Sequence, residues 1–166
     1  MNVLSWSRNN ATMSAFGKLI PVANDVRNEL NKRRKLGLKY EVVMTEPSTG
    51  EKPVPYMPRQ FPAGTWEITG VTPHNDPKDK YLNPYFIATT ARQLVEEWEL
   101  DDAGGYSKAS GRFAMDWGYG IHWPDPKFTT TTLGCIRIIN RDDLLFLVSR
   151  IQECMKLKQK IIFVVS

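Results

Sequence analysis

The sequence predicts a mainly β domain running from about residue 38, with one or two helices, preceded by a helical arm over residues 1–37. Three observations carry that reading. Short segments of alternating or β-branched residues recur along the chain, broken by turn residues. Five prolines between residues 47 and 62 exclude a continuous helix there. A long helical period stands out near residues 141–157, where Leu144, Leu147, Val148, Ile151, Cys154 and Met155 fall on one side. The 166 residues suffice for one domain with a real core. Uninterrupted apolar runs reach five residues, which rules out a membrane-spanning helix.

In chain order, residues 1–20 read as polar and irregular, punctuated by Gly17 and Pro21. From Pro21 the pattern turns helical, with Val22, Val26 and Leu30 four apart, Pro21 in the first turn and Gly37 as a terminator. Residues 38–44 read as a strand and 46–51 as a turn. Residues 64–69 alternate as a strand, and 72–84 form a loop rich in Pro, Asn, Asp and Lys. Residues 91–100 fit a helix, yet Leu94, Glu96, Trp98 and Leu100 also alternate. The following Asp101-Asp102-Ala103-Gly104-Gly105 reads as a hairpin turn, which favours strands on both sides. Residues 112–117 and 119–122 are strand pieces broken at Gly118. Asn140 or Asp142 caps a helix to about Leu157, and residues 160–165 form a closing strand.

The net charge is +4, but it is unevenly spread. The first forty residues hold eight basic and two acidic side chains, the remainder fourteen and sixteen. The excess centres on Lys32-Arg33-Arg34-Lys35, which reads as a solvated helix end favoured by its dipole. A mildly acidic main body argues against a nucleic-acid partner. With neither a Cys-x-x-Cys pair nor paired histidines, no metal and no cofactor are expected. Counting leaves a Cys135–Cys154 disulfide open, and the spacing does not demand one.

A cysteine nucleophile needs a base, an orienter for that base and donors for the oxyanion. Cys135 follows Gly134, which lets backbone come close to a substrate. His122 ends a strand thirteen residues upstream. The surroundings of the pair, Gly120-Ile121-His122, then Thr132-Leu133-Gly134-Cys135-Ile136-Arg137, then Asp143-Leu144, resemble the L,D-transpeptidase (YkuD) family. That family carries a strand ending in Ile-His-Gly or similar, then Ser/Thr-His-Gly-Cys-Ile/Val-Arg/Asn, with a downstream Asp and Leu. Phe61-Pro62-Ala63-Gly64-Thr65-Trp66 is similar to its Thr-Pro-x-Gly-x-Phe element. The resemblance covers about residues 38–166.

It implies a β-sandwich-like fold with the cysteine in a cleft under a mobile loop. Cys135 would be the nucleophile and His122 its base. The Trp123 backbone carbonyl would orient the imidazole, and backbone N–H groups near Gly134 and Cys135 would form the oxyanion hole. Tyr119 and Thr132 would meet substrate, Arg137 would meet a substrate carboxylate or serve a structural ion pair, and Trp117, Trp123 and Phe128 are further candidate cleft walls. The substrate would be a peptidoglycan stem peptide, cut between diaminopimelate and D-alanine through a Cys thioester that an amine or water resolves.

Leu133 stands where the family usually has histidine, Trp123 and Pro124 replace small residues, and the His122–Cys135 loop is short. These departures touch cross-linking more than thioester formation. Papain-like peptidases place Cys before His, on a helix, which disfavours them here. A non-catalytic peptidoglycan-binding module is the alternative. The substrate lies in the bacterial periplasm or envelope, whereas the N-terminus shows no charged region followed by an apolar stretch. That combination suggests an antibacterial effector delivered by type VI secretion, with residues 1–37 serving delivery or an immunity protein.

Overall fold

The computed structural model describes residues 2–24, 60–78, 82, 84–100, 106–127 and 134–166, with backbone alone for 94–100 and 106–114. The described elements are β1 (Asn2–Trp6), β2 (Thr12–Ala15), β3 (Lys18–Ala23), β4 (Gly64–Pro73), β5 (Tyr85–Thr89), β6 (Gln93–Leu100), β7 (Tyr106–Asp116), β8 (Gly120–His122), β9 (Ile136–Ile138), α1 (Arg141–Lys156) and β10 (Ile161–Val165). Eight strands close into a barrel in the order β1-β10-β4-β5-β8-β9-β3-β2, while β6 and β7 form a separate antiparallel pair.

The expected β-sandwich with a helical N-terminal arm is therefore wrong. The sheet closes on itself, and residues 2–23 are three of its staves. The physical reason is a period of two hidden in short segments. Leu4 and Trp6, Met13 and Ala15, and Ile20 and Val22 all point inward and are buried, with the less buried Ser5, Ser14 and Pro21 between them. Pro21 begins no helix: it pairs with Thr12 inside β3, and its carbonyl accepts the Ile139 N–H at 3.2 Å. The rest of the expected arm, including Val26, Leu30 and the basic cluster, lies outside the described residues. So do the expected strand at 38–44 and the turns at 46–51 and 101–105.

β2 and β3 are joined by the two-residue loop Phe16-Gly17, both at positive φ (50° and 75°). That is the mirror-image turn whose twist matches the strands it joins. The ambiguity over residues 91–100 resolves to strand. β6 and β7 pair on either side of the expected hairpin turn. The ends of the chain meet: β1 runs parallel to β10, and the Ser166 N–H donates to the Trp6 carbonyl at 3.0 Å.

α1 begins after Asn140, with Asp142 and Asp143 in its first turn, where acidic groups suit the helix dipole. Its apolar face, with Leu144, Leu147, Val148, Ile151 and Cys154 buried, joins the core built by the inward residues of the strands. Asp143 is 6% exposed and pairs with Lys18 of β3 at 2.7 Å, tying the helix start to the barrel. No helix among the described residues is long and apolar enough to cross a membrane.

Candidate active site

The two residues singled out for chemistry lie on neighbouring strands. β8 and β9 run parallel, with Ile121 beside Ile136 and His122 beside Arg137. Ile121, Ile136 and Ile138 are fully buried in the core. Alternation therefore turns Gly120 and His122 of β8, and Arg137 of β9, to the other face. Cys135 stands immediately before β9, two residues from Arg137, and it meets β8 at Gly120. Its Sγ accepts the Gly120 N–H at 3.4 Å and donates toward the Gly118 carbonyl at 3.7 Å. On this face His122 stands two residues along β8 from Gly120, the residue that Cys135 meets. His122 is 6% exposed, and its ring lies 6.1 Å from that of Phe86, its register partner on β5.

Two glycines make this approach possible. A Cβ on Gly120 would lie 2.3 Å from the Phe86 ring and 2.5 Å from the Ile87 carbonyl oxygen, so no side chain fits between β8 and β5. Gly134 adopts a φ of 137°, a conformation that favours glycine, immediately before the cysteine.

The Cys135 thiol is pushed up to about 11. Burial is the main cause, the Asp116 carboxylate adds to it, and the Gly120 N–H acts the other way. At neutral pH the site therefore holds a neutral thiol and not a ready thiolate. Chemistry at Cys135 requires a base to take the proton as the sulfur attacks. Arg137, half-buried, has its pKa lowered by burial, and its Nε is buried without a hydrogen-bond partner among the described residues. Neither Cys135 nor Cys154 is in a disulfide.

Asn24 was not singled out from the sequence, yet it holds the backbone around Cys135. From the end of β3, its Nδ2 donates to the carbonyls of Gly134 (2.7 Å) and Cys135 (2.9 Å), and its Oδ1 accepts the Phe61 N–H (3.0 Å). In a trans peptide the N–H points opposite to the C=O. Capturing the Gly134 carbonyl thus aims the Cys135 N–H away from Asn24, as an oxyanion donor must be fixed. The only sequence signal was an Asn closing an alternating apolar segment.

The other expected site residues are placed as follows. Tyr119 is 4% exposed, and its hydroxyl is bonded to Asp116 and Gln93. Trp123 follows β8 half-buried, with the Arg141 guanidinium 6.0 Å from its ring. Trp117 is 58% exposed beside Arg92, whose guanidinium lies 5.1 Å from its ring. Thr132, Leu133 and Phe128 lie outside the described residues. A concavity of about 460 Å³ opens at the start of α1, lined by Trp123, Pro126, Ile139, Asn140, Arg141, Asp142 and Asp143. Cys135 and His122 do not line it. No His, Cys, Asp and Glu cluster suited to a metal occurs among the described residues. Comparison of the chain with protein-family models, with curated proteins and with solved structures finds no match.

Proposed function

We propose that the chain is a cysteine-dependent peptidoglycan-modifying enzyme of the L,D-transpeptidase or L,D-carboxypeptidase type. The observation that supports this reading is the placement of Cys135 and His122 on one face of parallel neighbours, with Sγ under the Gly120 N–H. In the reaction, His122 takes the Cys135 proton as Sγ attacks the carbonyl at the L-centre of diaminopimelate. The Cys135 N–H steadies the oxyanion. Collapse breaks the amide bond, and the leaving amine takes the proton back from the imidazolium to depart as D-alanine, leaving a thioester. Water then releases the shortened stem, a neighbouring stem's amine gives a cross-link, or a free D-amino acid gives exchange; each restores the thiol.

The thiol's high pKa favours a second reading, a non-catalytic module that binds stem peptides without cutting them. One experiment separates the two: the wild type and Cys135→Ala are incubated with purified tetrapeptide muropeptides and the products weighed. Cysteine-dependent loss of D-alanine or joining of stems supports the enzyme. Binding that survives Cys135→Ala, with no change in mass, supports the module and overturns the enzyme.

The substrate class puts the site of action in the bacterial envelope. An antibacterial role follows if cleavage is unchecked there, with an immunity protein as partner in the producing cell. Its test is growth of cells exporting the protein to their own periplasm. Arrest that Cys135→Ala abolishes is expected, and normal growth with active wild type overturns that role.

A further inference from the structure

The grip on the Cys135 sulfur comes from a strip of three residues, Gly118-Tyr119-Gly120, which supplies both the carbonyl and the N–H that touch it. That strip is itself anchored through its middle residue. The buried Tyr119 hydroxyl donates to the Asp116 carboxylate and accepts from Gln93 Nε2 at 2.7 Å. Gln93 Nε2 also donates to the Gln60 carbonyl at 3.2 Å, and the Thr89 hydroxyl donates to the Tyr119 carbonyl. The Phe61 ring packs edge-on against Tyr119 at 5.6 Å. Asp116, at the end of β7, is 4% exposed. Gly118, at a φ of 88°, lets the chain turn out of β7 into the strip.

We propose that Asp116, Tyr119 and Gln93 are positioning residues for Cys135, a hydrogen-bonded clamp that fixes the strip gripping the sulfur. The inference rests on Cys135 being the nucleophile, and it assigns control of that thiol to residues outside the Cys–His pair. Among the described residues, the titratable groups around the thiol are Asp116 on β7, Tyr119 in the strip, His122 on β8 and Arg137 on β9. Of these, the Asp116 carboxylate adds to the burial that does most to hold the proton on sulfur. The clamp thus fixes the thiol in place and leaves deprotonation to His122.

The test uses the full chain and iodoacetamide, with alkylation followed at each cysteine from pH 7 to 11 by peptide mass spectrometry. Cys154, on the buried face of α1, is the internal reference for folding. Asp116→Asn keeps the shape and removes the charge. The midpoint of Cys135 alkylation should fall, by less than about one pH unit because burial remains, while Cys154 stays protected. An unchanged midpoint with Cys154 protected overturns the proposal.

Should Asp116→Asn expose Cys154 as well, Tyr119→Phe decides, because it keeps the ring in the core and removes only the hydroxyl. There, amide exchange at Gly120 should quicken about tenfold while Phe163 in β10 is unchanged. Equal exchange at Gly120 overturns the clamp. Turnover of muropeptides is read separately. Its failure in the wild type sinks the transpeptidase reading and leaves the midpoint shift to stand or fall alone.

Discussion

Cys135 carries its protonation into the stability of the fold. Its thiol ionises at about 11 in the folded chain, against an ordinary value of 9.0. The unfolded chain therefore loses that proton first, so the stability tied to it is complete below pH 9 and drains away between 9 and 11. Relative to Cys135→Ser, which does not titrate there, the wild type should lose about 1 kcal/mol between pH 8 and pH 10 in urea unfolding. Parallel curves for the two proteins would refute the raised thiol. Asn24 is the second residue whose effect can be forecast. Asn24→Ala frees two carbonyls and one N–H around Gly134, Cys135 and Phe61. It should cost about 2–3 kcal/mol of stability. If the chain is the proposed enzyme, thioester formation with a carbapenem, read as a mass adduct, should slow about a hundredfold. The sequence made His122, Gly134 and Cys135 visible because each has a chemistry of its own. Asn24 matters only through partners more than ten residues away, and no local pattern announces such a pairing.

At the level of elements, what decided legibility was whether a segment could be told from its neighbours by its own period. α1 could, since six apolar residues share one face and an Asn and two Asp mark its start. β10 could as well, and the strands around the 101–105 turn were recoverable from their alternation. The β2–β3 hairpin could not. Its turn is Phe16-Gly17, and a phenylalanine at a φ of 50° is a poor advertisement for a mirror-image turn, which ordinarily carries Asn or Asp at that position. Phe16 is held there by packing: it lies against the core with the Arg150 guanidinium 5.4 Å from its ring. Gly17 has nothing within 4 Å of where a Cβ would stand. Gly17→Ala should therefore cost only the backbone strain, about 1 kcal/mol. Gly120→Ala should cost more, about 2–3 kcal/mol, because its Cβ collides with Phe86 and with the β5 backbone. Equal losses in the two variants, measured by denaturant unfolding, would show that β8 can move away from β5 and that the close approach is not required.

For the molecule as a whole, barrel closure ties the candidate site to the beginning of the chain. A domain starting at residue 38 looked self-sufficient because the motif residues all follow that point, while the first twenty residues offered short polar-looking segments. The structure makes them structural. β3 is a neighbour of β9, pairing Val22 with Ile138 and Ala23 with Arg137, and β1 covers the flank of β10. The side chains of Leu4, Trp6, Met13, Ile20 and Val22 all lie in the same core as α1. Lys18 also holds Asp143 at the start of that helix. A chain cut to residues 38–166 would lose three of the eight staves and leave β9 and β10 each with an unpaired edge. It would also lose Asn24, and with it the anchor of the Cys135 backbone. Each of the five apolar side chains named above contributes about 1.5–3 kcal/mol when fully buried, so their removal takes away an amount comparable to the whole net stability of an ordinary domain. The truncated chain should show no cooperative thermal transition by circular dichroism, and iodoacetamide should label both of its cysteines at the rate of an unfolded peptide. A cooperative melt within a few degrees of the full chain, with Cys154 still protected, would mean that the barrel can close without its N-terminal strands.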